Sequence, residues 1–162
     1  MQNRYVGDIG DYLKLGILRA MSPGHRLGVA WWLYRDESHN RDGRHVGYLL
    51  RPDRWRRFDP ELFDALAQIV ASNRRDVRTL EAANLVPDAV FANEFIPTDR
   101  PASQRKLARC EWFAGIRHRL TDTDIVFVDP YNGFEPSGFS HGSSSAGKSV
   151  MEVFSGTGSR AS

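Results

Sequence analysis

An aspartate, a proline and a tyrosine, Asp129-Pro130-Tyr131, follow directly on the apolar run Ile125-Val126-Phe127-Val128. Four apolar, mostly β-branched residues in a row predict a strand buried on both faces, which puts Asp129 at the carboxyl end of an interior strand. In open α/β sheets ligands bind in the crevice outside such strand ends, so a carboxylate there faces a pocket. The competing use of Asp129 is structural, as the cap of the turn begun by Pro130, Asn132 and Gly133. A second pair of acids, Asp36 and Glu37, stands just beyond another apolar run, residues 27–34. If the two strands are neighbours, Asp36, Glu37 and Asp129 converge on one crevice. Together they are hard oxygen ligands of the kind Mg²⁺ takes, the chemistry of a phosphoesterase or nuclease, with Asp8 or Asp11 as further acids and nearby arginines to hold phosphate.

A third polar group opens the chain. Gly7-Asp8-Ile9-Gly10-Asp11-Tyr12-Leu13-Lys14 crowds two glycines and two acids ahead of a helix. Glycines there let a backbone approach a ligand closely, and Lys14 in the first turn reaches an anion. The structural alternative uses Asp8 or Asp11 as the cap of a helix beginning near Tyr12. Leu13, Ile17 and Met21 then share its apolar face, and Ser22-Pro23-Gly24 ends it. His39 and His45 are six residues apart, a spacing that matches no compact helical metal motif, and they read as loop histidines. Gly142-Ser143-Ser144-Ser145-Ala146-Gly147-Lys148-Ser149 satisfies the phosphate-binding pattern G-x-x-x-x-G-K-[ST]. The residues before it do not make a strand and only 13 follow it, so it reads as a flexible Gly/Ser loop that matches by composition.

The elements that must position these groups are legible from period and punctuation. Residues 27–34 are apolar almost throughout and predict a central strand. Asp59-Pro60-Glu61 opens a helix whose Leu62, Phe63, Leu66, Ile69 and Val70 form one packing face. A short helix over 76–84 leads to a strand near 89–96. A helix over 101–120 then places Leu107, Cys110, Phe113, Ile116 and Leu120 on one buried face. Strand, helices, strand, helix, strand is the order of a layered, Rossmann-like α/β domain with a mainly parallel sheet. It spans residues 1–150, with 151–162 as a flexible polar tail.

Composition bounds the rest. The chain has 162 residues, 41% of them hydrophobic, enough for one domain with a real core. A formal charge of +2 from 22 basic and 20 acidic residues predicts no indiscriminate attraction to nucleic acid. Two groups nonetheless make local basic faces, both read as solvated: Arg51, Arg54, Arg56 and Arg57 beside Trp55 and Phe58, and Arg100, Arg105, Lys106, Arg109, Arg117 and Arg119 around the later helix. The lone Cys110 excludes an intrachain disulfide and a thiolate metal cluster. No apolar run approaches 18 residues and the start lacks a signal-peptide core, so the expectation is a cytoplasmic chain with no membrane partner.

The segment Gly7-Asp8-Ile9-Gly10-Asp11-Tyr12-Leu13-Lys14 resembles the G-N-x-A-D-x-L-K run at the start of bacterial large-subunit ribosomal RNA adenine-N6 methyltransferases. Asp129-Pro130-Tyr131 is similar to their D-P-P-[YF] element, with one proline in place of two. Where that family carries a glycine-rich turn after the first strand, this chain reads Tyr34-Arg35-Asp36-Glu37-Ser38-His39. It also stops before the further strands such a fold places after the D-P-P-Y element, so a sheet incomplete on its C-terminal side is expected. The resemblance implies methyl transfer from S-adenosylmethionine to a nucleic-acid amine, with nucleic acid as partner. It assigns Asp129, Pro130 and Tyr131 to the amine and base, and Gly7, Asp8, Lys14, Asp36 and Glu37 to the donor, Lys14 near its methionine end. It requires no metal. Two alternatives stand beside it: the Mg²⁺-dependent phosphoesterase on Asp36, Glu37 and Asp129, and a non-catalytic, shortened α/β binding domain that self-associates through an unpaired sheet edge.

Overall fold

The strand β1, Leu27–Trp31, is buried at every position and the rest of the fold packs around it. The computed structural model describes residues 1–37 and 43–130; His39, Tyr131, the 142–149 match and the 151–162 tail lie outside the described residues. Around β1 stand α1 (Ile9–Met21), α2 (Pro52–Trp55), α3 (Pro60–Ala71), α4 (Val77–Ala82), β2 (Val90–Ala92), α5 (Ala102–Arg119) and β3 (Ile125–Asp129). The three strands form one sheet in the order β2-β1-β3, with both pairings parallel. The fold is therefore mixed α/β with a small parallel open sheet, and β1 is central as its apolar run predicts. No helix among the described residues is long and apolar enough to cross a membrane.

Side chains alternate across a strand with period two, and in β1 this alternation separates two cores. Leu27, Val29, Trp31 and, beyond the strand, Leu33 pack into the larger core with Leu15 and Leu18 of α1, Leu62 and Leu66 of α3, and Val77 and Leu80 of α4. Ala30 and Trp32 face the other way, into a smaller core with Phe113 and Ile116 of α5 and Leu120 just after it. Helices thus cover both faces of the sheet.

Three caps behave as their residue types predict. The Asp59 carboxylate accepts from Leu62 N at 3.0 Å with Pro60 at the first helical position, and Asp76 accepts from Thr79 N at 2.9 Å. Asp8 is the cap of α1, and the helix starts at Ile9, three residues before Tyr12.

Several expectations are corrected. Among the described residues β3 is an edge strand rather than an interior one, and Val126 is 39% exposed, so the run is not buried on both faces. β1 ends at Trp31 and β2 covers only Val90–Ala92, because the continuing chain finds other partners. Leu33 bridges Phe95, Leu33 O accepts from Ile96 N, and Trp32 O accepts from the Met1 ammonium. Leu13, Ile17 and Met21 form an exposed stripe, while Asp11, Tyr12, Leu15 and Leu18 make the buried face of α1. In α5, Cys110 and Leu107 are exposed, and the buried positions are Arg109, Phe113 and Ile116. The expected face holds at Phe113, Ile116 and Leu120 and fails in the first half of the helix, where Arg109 is buried and is not part of a solvated basic face.

The exposure of Leu107 on α5 has a measurable consequence, with the buried Leu66 of α3 as the reference. Leu66→Ala removes a fully buried side chain and should lower stability by about 2–5 kcal/mol in denaturant melts. Leu107→Ala, at a position 66% exposed, should change it by no more than about 0.5 kcal/mol. Equal losses at the two positions would refute the observed packing of α5.

Candidate functional site

The geometry of the site starts at Gly7. Its φ is +84°, and a Cβ there would stand 2.6 Å from Val70 Cγ2, so both the turn and its packing on α3 require glycine. That turn sets Asp8 at the head of α1, where its Oδ1 accepts from Gly10 N at 2.8 Å and from Asp11 N at 3.2 Å. Starting α1 at Ile9 places Asp11 and Lys14 one turn apart on the same side. The parallel register of β1 and β3 pairs Trp31 with Asp129, so the end of β3 lies beside the end of the central strand. Lys14 Nζ closes the arrangement, 2.9 Å from Oδ1 and 3.0 Å from Oδ2 of Asp129.

The ion pair is part of a buried cluster. Asp11 is 1% exposed; its Oδ2 accepts from Gly7 N at 3.0 Å, while its Oδ1 stands 3.8 Å from Lys14 Nζ and accepts no hydrogen bond among the described residues. Burial pushes the Asp11 carboxyl up to about 7, against the attraction of Lys14 and with a further push from Asp8. For Lys14, burial works against the charged form, but Asp129 and Asp11 outweigh it and the ammonium is held above its usual range. The Met1 ammonium donates to Trp32 O at 2.9 Å and to the Asp129 carbonyl at 3.3 Å, and burial lowers it to about 6 despite the Asp129 charge.

Residues 1–4 lie between the two strand ends. Tyr34 N donates to Met1 O at 2.9 Å, Gln2 Nε2 to Glu37 Oε2 at 3.2 Å, and Arg4 N to Asp36 Oδ1 at 3.3 Å. β1 and β3 are neighbours, yet their three acids do not meet in one cluster. Asp36 and Glu37 engage this segment, whereas Asp129 engages Lys14. Among the described residues no three acids, histidines or cysteines stand close enough to hold a metal ion together. Of the remaining candidates, Gly7 and Asp8 shape and cap the turn, Pro130 directly follows Asp129, and His45 lies in a loop whose carbonyl accepts from Ile9 N.

A cavity of about 480 Å³ opens at the carboxyl ends of β1 and β2, lined by Leu33, Asp76, Asn93, Glu94 and Phe95 among others. Asn93 donates to Glu81 at 2.7 Å, and burial raises the Glu81 carboxyl against that bond. Glu94 pairs through Oε1 with Arg119, and its buried Oε2 accepts no hydrogen bond among the described residues. Asn93 and Glu94 line this cavity just after β2, where the strand expectation over 89–96 has them inside the strand. The signal that finds them is the one that finds Asp36 and Glu37, a polar pair directly after an apolar strand. No family model, no curated protein and no solved structure matches this chain.

Asp11 generates a prediction with a definite sign. Its folded-state value is about 7 against an ordinary 3.8, so the folded protein binds more protons than the unfolded chain between those values. Its contribution to stability therefore becomes less favourable as pH rises through that window, and the penalty is complete above it. Asparagine keeps the shape without the charge. The melting temperature of Asp11→Asn relative to wild type should rise between about pH 4 and about pH 8. A difference that is flat or falls across that range would show that Asp11 is not a strained carboxylate.

Proposed function

We propose that this chain is a methyltransferase-like protein that transfers a methyl group from S-adenosylmethionine to an amine of a nucleic acid. The observation that carries the reading is the contact of Lys14 Nζ with both oxygens of Asp129. It joins the two short motifs on which the resemblance to the ribosomal RNA adenine-N6 methyltransferases rests, and it presents Asp129 as an acceptor of N–H groups. In this reading Asp129 accepts a hydrogen bond from the target amine, the Pro130 carbonyl accepts another, and Tyr131 stacks on the extruded base. Holding the amine at two points turns its lone pair toward the donor and removes the rotational freedom of a free encounter.

The residues around the β1/β2 cavity fit the nucleoside end of the donor. The cavity volume falls within the usual range for a small-molecule site, Asn93 and Glu94 offer oxygens to hydroxyl groups, and Phe95, 50% exposed, offers an apolar ring. Lys14, Asp36 and Glu37 supply charge nearby, while Gly7 and Asp8 act by shaping the turn that delivers Lys14. When bound, the donor supplies an electrophilic methyl group on a sulfonium. The Mg²⁺ phosphoesterase reading needs Asp36, Glu37 and Asp129 to share an ion. Their separate engagements with Arg4, Gln2 and Lys14 favour methyl transfer instead.

Calorimetry with S-adenosylmethionine is the direct test, and folded protein that binds none at millimolar donor would end the proposal. Given binding, Asp129→Asn should leave donor affinity nearly unchanged and lower turnover on an adenine-containing RNA on the order of 100-fold, since the lost contact belongs to the transition state. A variant that turns over at the wild-type rate would remove Asp129 from the chemistry.

A further inference from the structure

The Asp129 oxygens that the proposed function assigns to a target amine are occupied by an amine of the chain itself. Lys14 Nζ touches both, at 2.9 and 3.0 Å. Lys14 does not compete as a methyl acceptor, because its neighbouring carboxylates keep it an ammonium, and an ammonium has no lone pair to attack with. For another amine to take the place it holds between the two oxygens, it must leave. The cluster contains one other place for it. Asp11 Oδ1 is buried, accepts no hydrogen bond among the described residues, and stands 3.8 Å from Nζ, less than an ångström beyond hydrogen-bond distance. A lysine on a flexible four-carbon stem covers that difference by small torsional changes.

A buried carboxylate oxygen without a hydrogen bond is unfavourable and rare in folded proteins, and it calls for a use. We propose that Lys14 is a displaceable placeholder for the target amine: it rests on Asp129 when no amine is bound and moves to Oδ1 of Asp11 when one arrives. Asp11 is then a positioning residue, which keeps the displaced ammonium paired inside the protein. The inference rests on the reading of Asp129 as the amine holder. The other charged or titratable groups around Asp11 stay in place in both states: the Met1 ammonium from the N-terminal segment, Asp8 at the head of α1, Tyr48 from the 47–50 turn, and Arg75 from the residues before α4. Only the Lys14 side chain need move.

Crystal structures of the wild type and of Asp129→Asn test the second seat without reference to activity. The variant removes the charge that holds Lys14 and keeps the side-chain shape. Nζ should move from 3.8 Å to within about 3.2 Å of Asp11 Oδ1. Should that variant not fold, Asp129→Ser gives the same reading, and side-chain nitrogen NMR of Lys14 in Asp129→Ser, against the same variant carrying Asp11→Asn, reports the contact in solution. Lys14 turned to solvent, or still bound at position 129, with Oδ1 unpartnered, overturns the proposal. Donor calorimetry reports separately on methyl transfer. If Lys14 moves but the protein binds no donor, the two-seat ammonium stands and the assigned reaction falls. If the protein binds donor while Lys14 stays fixed, the assigned reaction stands and the two-seat ammonium falls.

Discussion

Burial of β1 on both faces is the constraint on which the rest of the molecule depends. A strand whose alternate side chains enter two different cores needs helices on both sides of the sheet and a partner strand on each edge, since buried backbone groups must be paired. The large residues of β1 point to the side where α1, α3 and α4 converge, and the smaller Gly28 and Ala30 point toward the single helix α5. With both neighbours parallel to β1, all three strands end on the same side of the domain, where Asp129, Asn93 and Glu94 follow or end their strands. The clustering of polar residues at that edge is a consequence of how the central strand is buried.

Polar groups at such an edge differ in what their burial does. The exposed pair Arg56–Asp64 has good geometry, but ion pairs in contact with water contribute little to stability. The cluster of Asp11, Lys14 and Asp129 is different in kind, because removing two carboxylates and an ammonium from water is strongly unfavourable unless each is paired. Lys14 pairs Asp129 fully and Asp11 only at a distance. The imbalance appears as a carboxyl held near neutrality and as one oxygen without a hydrogen bond. Replacing such a cluster by apolar side chains is often neutral or stabilising, so its presence is weak evidence of a role in stability alone.

Helix caps and the central strand were legible because each depends on a local pattern. Asp59-Pro60 and Asp76 cap where an acid precedes a periodic run, and residues 27–31 are apolar without interruption. Helix rotation was not legible, for a physical reason. α1 carries apolar residues at 12, 13, 15, 17, 18 and 21, which satisfy two overlapping faces, and only contact with α3 and the sheet selects Tyr12, Leu15 and Leu18. In α5 the stripe through Leu107 and Cys110 is as periodic as the one through Arg109, and an arginine stem with its own partner is buried in place of a cysteine. At the site, the apolar run before Asp129 pointed to a strand end, and β3 does end at Asp129. The contact of Lys14 with Asp129 across 115 positions of chain is tertiary and leaves no local trace.

The same limit explains why the acids at two neighbouring strand ends do not add up to one centre. Adjacency of β1 and β3 is necessary for Asp36, Glu37 and Asp129 to meet, but it is not sufficient, because a third segment can use the intervening space. Residues 1–4, which run into a 3-10 turn over Asn3–Tyr5, do so with the polar groups that every backbone carries. Main-chain N–H and C=O groups of Met1, Arg4, Trp32 and Tyr34 find partners there, and Gln2, fully buried, ties its side chain to Glu37. Each acid thereby has a different neighbour before any ligand arrives, and the Asp129 carboxylate has the Lys14 ammonium. Asp36 accepts from the backbone N–H of Arg4, a group that cannot leave without moving the main chain, and Glu37 accepts from the side chain of the fully buried Gln2. Lys14, on its flexible stem, can leave Asp129 by side-chain rotation alone, whereas the Arg4 N–H is fixed to Asp36 by the path of the backbone.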